Sequence, residues 1–443
     1  MSDTKATPAR PRVLVVGAGF AGMAAVRGLR RAPVDITLID RRNFHLFQPL
    51  LYQVATAGLT PSDIAWPIRS ILRDQPNVEV VLGEVVAIDP AARHVILTDG
   101  KRYGYDWLVL ATGATHNYYG NTHWQTRAPG LKRVDDATAI RRRILMAFER
   151  AELSDDPAER ARLMSFVVIG AGPTGVEMAG AIAELSRHAL ARDFRRIDPR
   201  QTRIVLLEGG PRVLATFPET LSAYACRALE RLGVEVRVGA RVSDCDAKGV
   251  TVDGEPLPAA TLIWAAGVAA SPAAEWLGVE CDRAGRAVVD TSLRLPAHAE
   301  IFVIGDTASM PDGQGGFAPG IAPAAKQAGA YVARAITAAV NGKLRPGQFR
   351  YRHYGSLATI GRHEAVIDFG RIKLSGWLAW WIWGLAHVYF LIGIRHRLLV
   401  AAQWLFSYVS FGRGARLIAG HDEAPAPAQK TSPPAATDSA DGA

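Results

Sequence analysis

A chain of 443 residues exceeds one ordinary core and implies two or three domains. Hydrophobic residues at 49% and charged residues at 21% exclude a wholly disordered chain. The net charge of +9 comes without zinc spacing, an RNA-binding signature or a basic-aromatic stripe, so neither nucleic acid nor a metal is an expected partner.

The polar N-terminus, MSDTKATPARPR, lacks the apolar core of a secretory signal, and the body is expected on the cytoplasmic side. Three sparse cysteines, Cys226, Cys245 and Cys281, fit a reducing compartment and leave no CxxC dithiol. Val13 to Val16 reads as a buried parallel strand. Gly17-Ala-Gly-Phe-Ala-Gly22 follows, then an Ala-rich helix pattern and the strand DITLID, ending at Asp40. WLVLATGA, from Trp107 to Ala114, is a further apolar strand closed by the Thr112-Gly113 turn. Residues 135–163 read as a helix. The opening pattern then returns: SFVVIGAGPTGVEMAGAIAEL is strand, glycine turn and helix, and RIVLLE is a strand ending at Glu208. TLIWAAGV mirrors WLVLATGA, and IFVIGD ends a late strand at Asp306. This is a domain-level repeat of about 150 residues. APAAKQAGAYVARAITAAV reads as a long helix, and residues 351–375 as strands.

One GxGxxG is weak evidence. Here each copy follows a strand, opens a helix and has an acidic residue ending the next strand. Gly17, Gly19 and Gly22 allow a tight turn, close approach of a pyrophosphate and close helix packing, and Asp40 can accept hydrogen bonds from a ribose diol. Gly170, Gly172, Gly175 and Glu208 take the same parts in the second copy. Two dinucleotides are therefore expected, most economically FAD and a nicotinamide. If the IFVIGD strand rejoins the first sheet, the second unit is an insertion within the first, and Gly305 and Asp306 meet the flavin nucleotide. FAD then belongs to the first copy and NADH to the second. Thr112 and Gly113 are expected to touch FAD through backbone groups, and Ala266 and Gly267 to do so near the nicotinamide. Glu208 favours NADH over NADPH, since a carboxylate repels a 2′-phosphate, with Arg212 moderating that preference.

The expected fold is α/β, with two Rossmann-like dinucleotide-binding domains, the NADH domain inserted in the FAD domain, plus a C-terminal membrane-associated helical segment. The expected division is a disordered N-terminus over 1–11, an FAD-binding domain in two parts over 12–134 and 291–345, an NADH-binding domain over 135–290, a membrane-binding region over 346–420 and a disordered tail over 421–443.

At these motifs the chain resembles the two-dinucleotide-binding flavoproteins and, within them, the type II NADH dehydrogenases, the single-chain NADH:quinone oxidoreductases. The resemblance spans roughly residues 10 to 415 and rests on RRNFHLFQPLLYQVATAGL, VVIGAGPTGVEMAGAIAEL, PGIAPAAKQAG and the basic, Trp-rich C-terminal segment. It implies FAD as cofactor, NADH as substrate, a membrane quinone as acceptor and no proton pumping, and it is compatible with a homodimer. It implies that Glu177 approaches the flavin and that Gln48 and Tyr52 lie in a stretch packed against it. Phe44, His45, Phe47 and Leu50 are expected to serve packing. The family's quinone motif, A-Q-x-A-x-Q, reads Ala322-Pro323-Ala324-Ala325-Lys326-Gln327, so Gln327 is kept and Pro323 replaces the first Gln. Lys373 falls where the resemblance places a basic residue near the quinone. Gln327, Glu177 and Lys373 are thus the candidates for positioning and protonating quinone. The alternative reading, a sulfide:quinone reductase or another FAD/NAD(P)-dependent reductase, needs in its first form redox cysteines near the flavin.

GWLAWWIWGLAHVYFLIGI, from Gly376 to Ile394, carries no formal charge over nineteen residues. As one helix it spans about 28 Å, close to a bilayer's hydrocarbon core. Residues 369–421 hold six Lys/Arg, no Asp or Glu, and five of the ten tryptophans. That pattern suits a bilayer surface contacted through residues 371–416, at the cytoplasmic face of the cell membrane. Gly384, His387, Gly393 and the Arg395-His396-Arg397 break favour two helices in one leaflet over a single span.

Overall fold

The computed structural model describes residues 10–344, 346–410 and 412–419, without the side chains of residues 407–410. The expected disordered tail, and residues 1–9 of the expected disordered N-terminus, lie outside the described residues.

Two parallel sheets carry the molecule. The first orders its strands Arg294–Leu295, His298–Val303, Trp107–Leu110, Arg12–Val16, Asp35–Asp40 and Val78–Leu82. All neighbours are parallel except the antiparallel edge at Arg294–Leu295. The second orders Val234–Val238, Arg203–Glu208, Ser165–Ile169 and Thr261–Trp264, all parallel. Central strands of such sheets are covered on both faces, which is why Val13–Val16 and residues 166–169 read as unbroken apolar runs and are buried. The late strand does rejoin the first sheet, beside Trp107–Leu110. Its core also takes in Ala273, Leu277, Ala287 and Val289.

The helix Ala322–Val340 packs on the first fingerprint helix, Phe20–Gly28. A Cβ on Gly329 would lie 2.2 Å from the Ala21 carbonyl oxygen, so glycine sets how closely they approach. Pro323 sits in the first turn of that helix, where a missing N–H costs nothing.

Two sequence expectations change in detail, and the expected break in the apolar stretch is present. The helix expected over 135–163 is two helices, Val134–Leu153 and Pro157–Leu163, because Pro157 opens the second and Asp156 caps it, accepting from the Ala158 N–H. Val78–Leu82 and two three-stranded antiparallel units, within residues 85–104 and 242–258, form from short, half-exposed runs that the apolar pattern did not flag. The apolar stretch from Gly376 does not continue as one helix. Trp377–Phe390 ends at Leu391, and Ile394–Ser410 begins after Gly393, whose φ of +80° turns the chain. Among the described residues, no helix is long and apolar enough to cross a membrane.

Candidate functional site

At the first fingerprint, Gly17 has φ +99°. A Cβ there would lie 2.4 Å from the Ala111 carbonyl oxygen, and one on Gly22 would lie 1.8 Å from the Gly17 carbonyl oxygen. Gly19 instead faces open space and caps the helix Phe20–Gly28. Room beside free N–H groups at a helix start fits a pyrophosphate. The Asp40 carboxylate accepts from the Ala18 N–H at 2.6 Å and the Arg42 N–H at 2.8 Å, which holds it at the turn. Arg42 Nη1 is buried there without a hydrogen-bond partner, and burial lowers the guanidinium pKa. Such a donor fits a nucleotide's oxygens.

The second fingerprint repeats these distances. A Cβ on Gly170, at φ +100°, would lie 2.5 Å from the Ala266 Cα, one on Gly175 would lie 1.8 Å from the Gly170 carbonyl oxygen, and Gly172 faces open space. Glu208 accepts from the Ala171 N–H at 2.7 Å and the Gly210 N–H at 2.8 Å. Arg212 donates to the Phe217 and Ala215 carbonyl oxygens, each at 2.7 Å, so its guanidinium is tied to its own loop.

The two halves meet at their strand-end turns. Ala114–His116 pairs antiparallel with Val268–Ala270, directly after Thr112-Gly113 and Ala266-Gly267. The Ser271 N–H donates to the Gly113 carbonyl at 3.0 Å. The hydroxyls of Thr112, Ser271 and Thr307 form a chain, with Ser271 to Thr307 at 2.8 Å. Thr307 ends the turn Gly305–Thr307, where a Cβ on Gly305 would lie 3.3 Å from the Ala21 Cβ. Asp306 lies 3.7 Å from Lys132 Nζ, and the Gln48 amide donates to the Lys132 carbonyl at 3.0 Å. The structure thus gathers Thr112, Gly113, Gly305, Asp306 and Gln48 at one seam, with Ala266 and Gly267 across it.

Glu177 lies half-buried on the helix Pro173–Glu184. Burial pushes its pKa up to about 8, while a hydrogen bond from the Thr359 backbone holds it partly back. Tyr52 is buried, and burial together with the Glu177 charge raises its hydroxyl pKa. Gln53 donates to the Tyr52 hydroxyl at 2.9 Å and accepts from the Trp404 indole at 2.8 Å. The second C-terminal helix is thereby tied to this network. Gln327 is engaged elsewhere. Its amide donates to the Arg352 carbonyl at 2.8 Å and accepts from the Arg352 N–H at 2.9 Å. Lys373 is exposed at the start of the edge strand Lys373–Ser375. No hydrogen bond or ion pair among the described residues joins Glu177, Gln327 and Lys373 to one another.

Residues 11–329 match the family described as pyridine nucleotide-disulphide oxidoreductase, and residues 353–414 match the NDH2 C-terminal domain. The chain is 44% identical to the type II NADH:quinone oxidoreductase Ndh of Mycobacterium tuberculosis, with 93% of this chain and 91% of that protein covered.

The chain belongs to the type II NADH:quinone oxidoreductases.

The NDH2 of Plasmodium falciparum, solved with NADH, superposes with a TM-score of 0.83 at 19% identity, covering 93% of this chain and 100% of that one. A sulfide:quinone oxidoreductase from Aquifex aeolicus superposes at 0.70 and 18% identity, covering 87% and 92%. Fold alone therefore does not separate the type II enzymes from that rival, and the cysteines must. Cys226 lies on the helix Glu219–Arg231 against Glu230, Cys245 is buried in a small antiparallel sheet, and Cys281 is exposed. All three are free, and none belongs to a fingerprint or to the seam between the two halves.

Several residues of this type II chain escaped sequence reasoning. Arg413, counted with the lipid-facing cations, turns inward. It donates to the Thr56 carbonyl at 2.6 Å and pairs with the buried Glu184 at 3.3 Å. Arg416 pairs with Asp193 and donates to the Ala189 carbonyl. A buried carboxylate needs a counter-charge, and that need overrides the pull of the headgroups. His387 packs on Trp383 at 4.3 Å, and burial pushes its pKa down to about 4. Its only sequence signal was an ionisable group in an otherwise apolar run.

Proposed function

We propose that this protein is an FAD-dependent NADH:quinone oxidoreductase working on a lipid surface, with FAD at the first fingerprint and NADH at the second. One observation carries the reading: two equivalent dinucleotide cradles end at strand turns sewn together by the ribbon Ala114–His116/Val268–Ala270, so one seam serves both. Bound FAD supplies the two-electron chemistry between NADH and quinone. Gly19 and Gly172 give the backbone room for each pyrophosphate. Asp40 and Glu208 meet the riboses, and Arg212, held by its own loop, leaves Glu208 to favour NADH. Glu177 keeps a proton at neutral pH and is the proposed source of one quinol proton. Gln327 holds the helix start against Arg352, and Lys373 serves the entry side of the quinone path.

The outer faces of the two C-terminal helices are proposed to rest in one leaflet at the cytoplasmic face. Trp377, Trp381, Leu385, Tyr389, Leu398 and Phe406 are all exposed there, and Arg371, Lys373 and Arg395 lie exposed nearby. The proposed domain limits keep 12–134 with the first sheet and place the return crossing near the Val268–Ala270 ribbon rather than at 290, since residues 273–289 pack in the first core. A second copy of the chain as partner rests on the resemblance alone.

The test follows NADH absorbance in mild detergent, with and without a short-tailed quinone, and with NADPH and sulfide as alternative donors. Quinone-dependent loss of NADH is expected. In sealed vesicles the same turnover is expected to move no protons across the membrane, leaving only the pH change from the one proton consumed per NADH. Sulfide as the preferred donor, or a flavin that NADH bleaches but quinone does not reoxidise, would overturn the reading.

A further inference from the structure

The helix Ala322–Val340 opens with two side chains that differ in what holds them. Gln327 spends both ends of its amide on the Arg352 backbone. Lys326, about 100° round the helix, turns toward the first fingerprint. Its Nζ lies 5.2 Å from the centre of the Phe20 ring and 4.8 Å from that of Phe390. Phe20 is the first residue of the fingerprint helix. Phe390 ends the Trp-rich helix and keeps half its surface open on the apolar outer face. The ammonium therefore stands between the nucleotide turn and the lipid-facing helix.

This charge is half-buried and has no carboxylate within ion-pair distance among the described residues. Burial lowers its pKa, and the charge of Arg27 lowers it further. The imidazoles on this side add no compensation. His45 is buried against the Ala18 carbonyl and its pKa is lowered by burial, and His387 is kept neutral near Phe47. Two ring faces stabilise a cation less than a carboxylate does, and a methionine would fill the same space without the desolvation cost. Packing alone does not explain a lysine here, whereas a ligand oxygen does.

We propose that Lys326 binds a carbonyl oxygen of the electron-accepting quinone and sets the enzyme's preference for that class of acceptor. The proposal rests on the quinone reading above. Overall, NADH, one proton and quinone give NAD⁺ and quinol. The quinone gains two electrons and two protons, and negative charge gathers on its oxygens. A fixed ammonium in an aromatic box favours that charge and costs no reorganisation when it appears.

The test uses the FAD-loaded full chain and separates the two half-reactions by stopped flow. NADH bleaching of the flavin should be equal in wild type and K326M. Reoxidation by a short-tailed quinone should slow about tenfold in K326M, the size of one charge-assisted hydrogen bond, and recover in K326R. Unchanged reoxidation in K326M overturns the assignment alone. So does equal slowing of both half-reactions, which marks a structural role. If K326M fails to retain FAD, K326Q against K326R carries the same comparison. A wild-type flavin that no quinone reoxidises overturns the quinone reading and the assignment together.

Discussion

Glu177 holds a proton at pH 7 for a physical reason that can be tested at that one side chain. Its folded pKa is raised from 4.5 to about 8 by burial, so the folded chain binds this proton more tightly than the unfolded one. Its contribution to stability is therefore best below pH 4.5, declines as pH rises toward 8 and then levels off. The slope is at most about 1.4 kcal/mol per pH unit. Glu177→Gln should lose less melting temperature than wild type between pH 5 and pH 8, as read by thermal unfolding at both. The same proton is proposed to serve quinol formation. Quinone reduction by wild type should fall as pH passes about 8, and E177Q should run about a hundredfold slower with no such limb, the usual range for losing a general acid. A pH profile unchanged by E177Q would remove Glu177 from the chemistry.

At the scale of elements, the two strand-turn-helix units are nearly superimposable in their constraints yet are expected to fail differently. A methyl on Gly22 or on Gly175 would sit 1.8 Å from the carbonyl oxygen that opens its own turn. Gly22→Ala should therefore yield protein poor in flavin, seen in the ratio of flavin to protein absorbance. Gly175→Ala should keep its flavin and raise KM for NADH about tenfold or more, the cost of one misplaced phosphate-binding turn. The reverse pattern would exchange the two cofactors between the fingerprints. The C-terminal pair of helices follows a different logic. Gly393 turns the chain at φ +80°, and its missing Cβ would lie 1.9 Å from the Trp66 ring. His396 packs on the same ring and bonds to the Ser62 carbonyl at 3.0 Å. The break in the apolar stretch is thus fixed by contacts with the body.

For the molecule as a whole, the Trp-rich helix is apolar on two sides with different partners. Ala379, Trp383 and His387 face the protein, while Trp377, Trp381, Leu385 and Tyr389 recur every four residues on the open side. Replacing Trp381, Leu385 and Tyr389 with Ser should weaken co-sedimentation with anionic lipid vesicles by about tenfold or more, since binding scales with buried apolar area. Bleaching of the flavin by NADH should be unaffected, because that seam lies between the two sheets. Undiminished vesicle binding would place the lipid contact elsewhere.

The sequence by itself determined both nucleotide units. Each is written within about thirty consecutive residues, and the glycines at Gly22 and Gly175 meet steric demands set by the Gly17 and Gly170 carbonyls of their own turns. It also determined the apolar outer face, because clustered Trp and acid-free flanks need no distant partner to be read. Only the tertiary structure decided which polar side chains are spoken for. Arg413 meets Glu184 across 229 positions, Trp404 meets Gln53 across 351, and Gln327 is consumed by the backbone at Arg352. Motif spacing selected Gln327, and the packing of Phe20 and Phe390 selected Lys326. A side chain's availability depends on what the fold brings within reach of it, and that information lies in segments far apart along the chain.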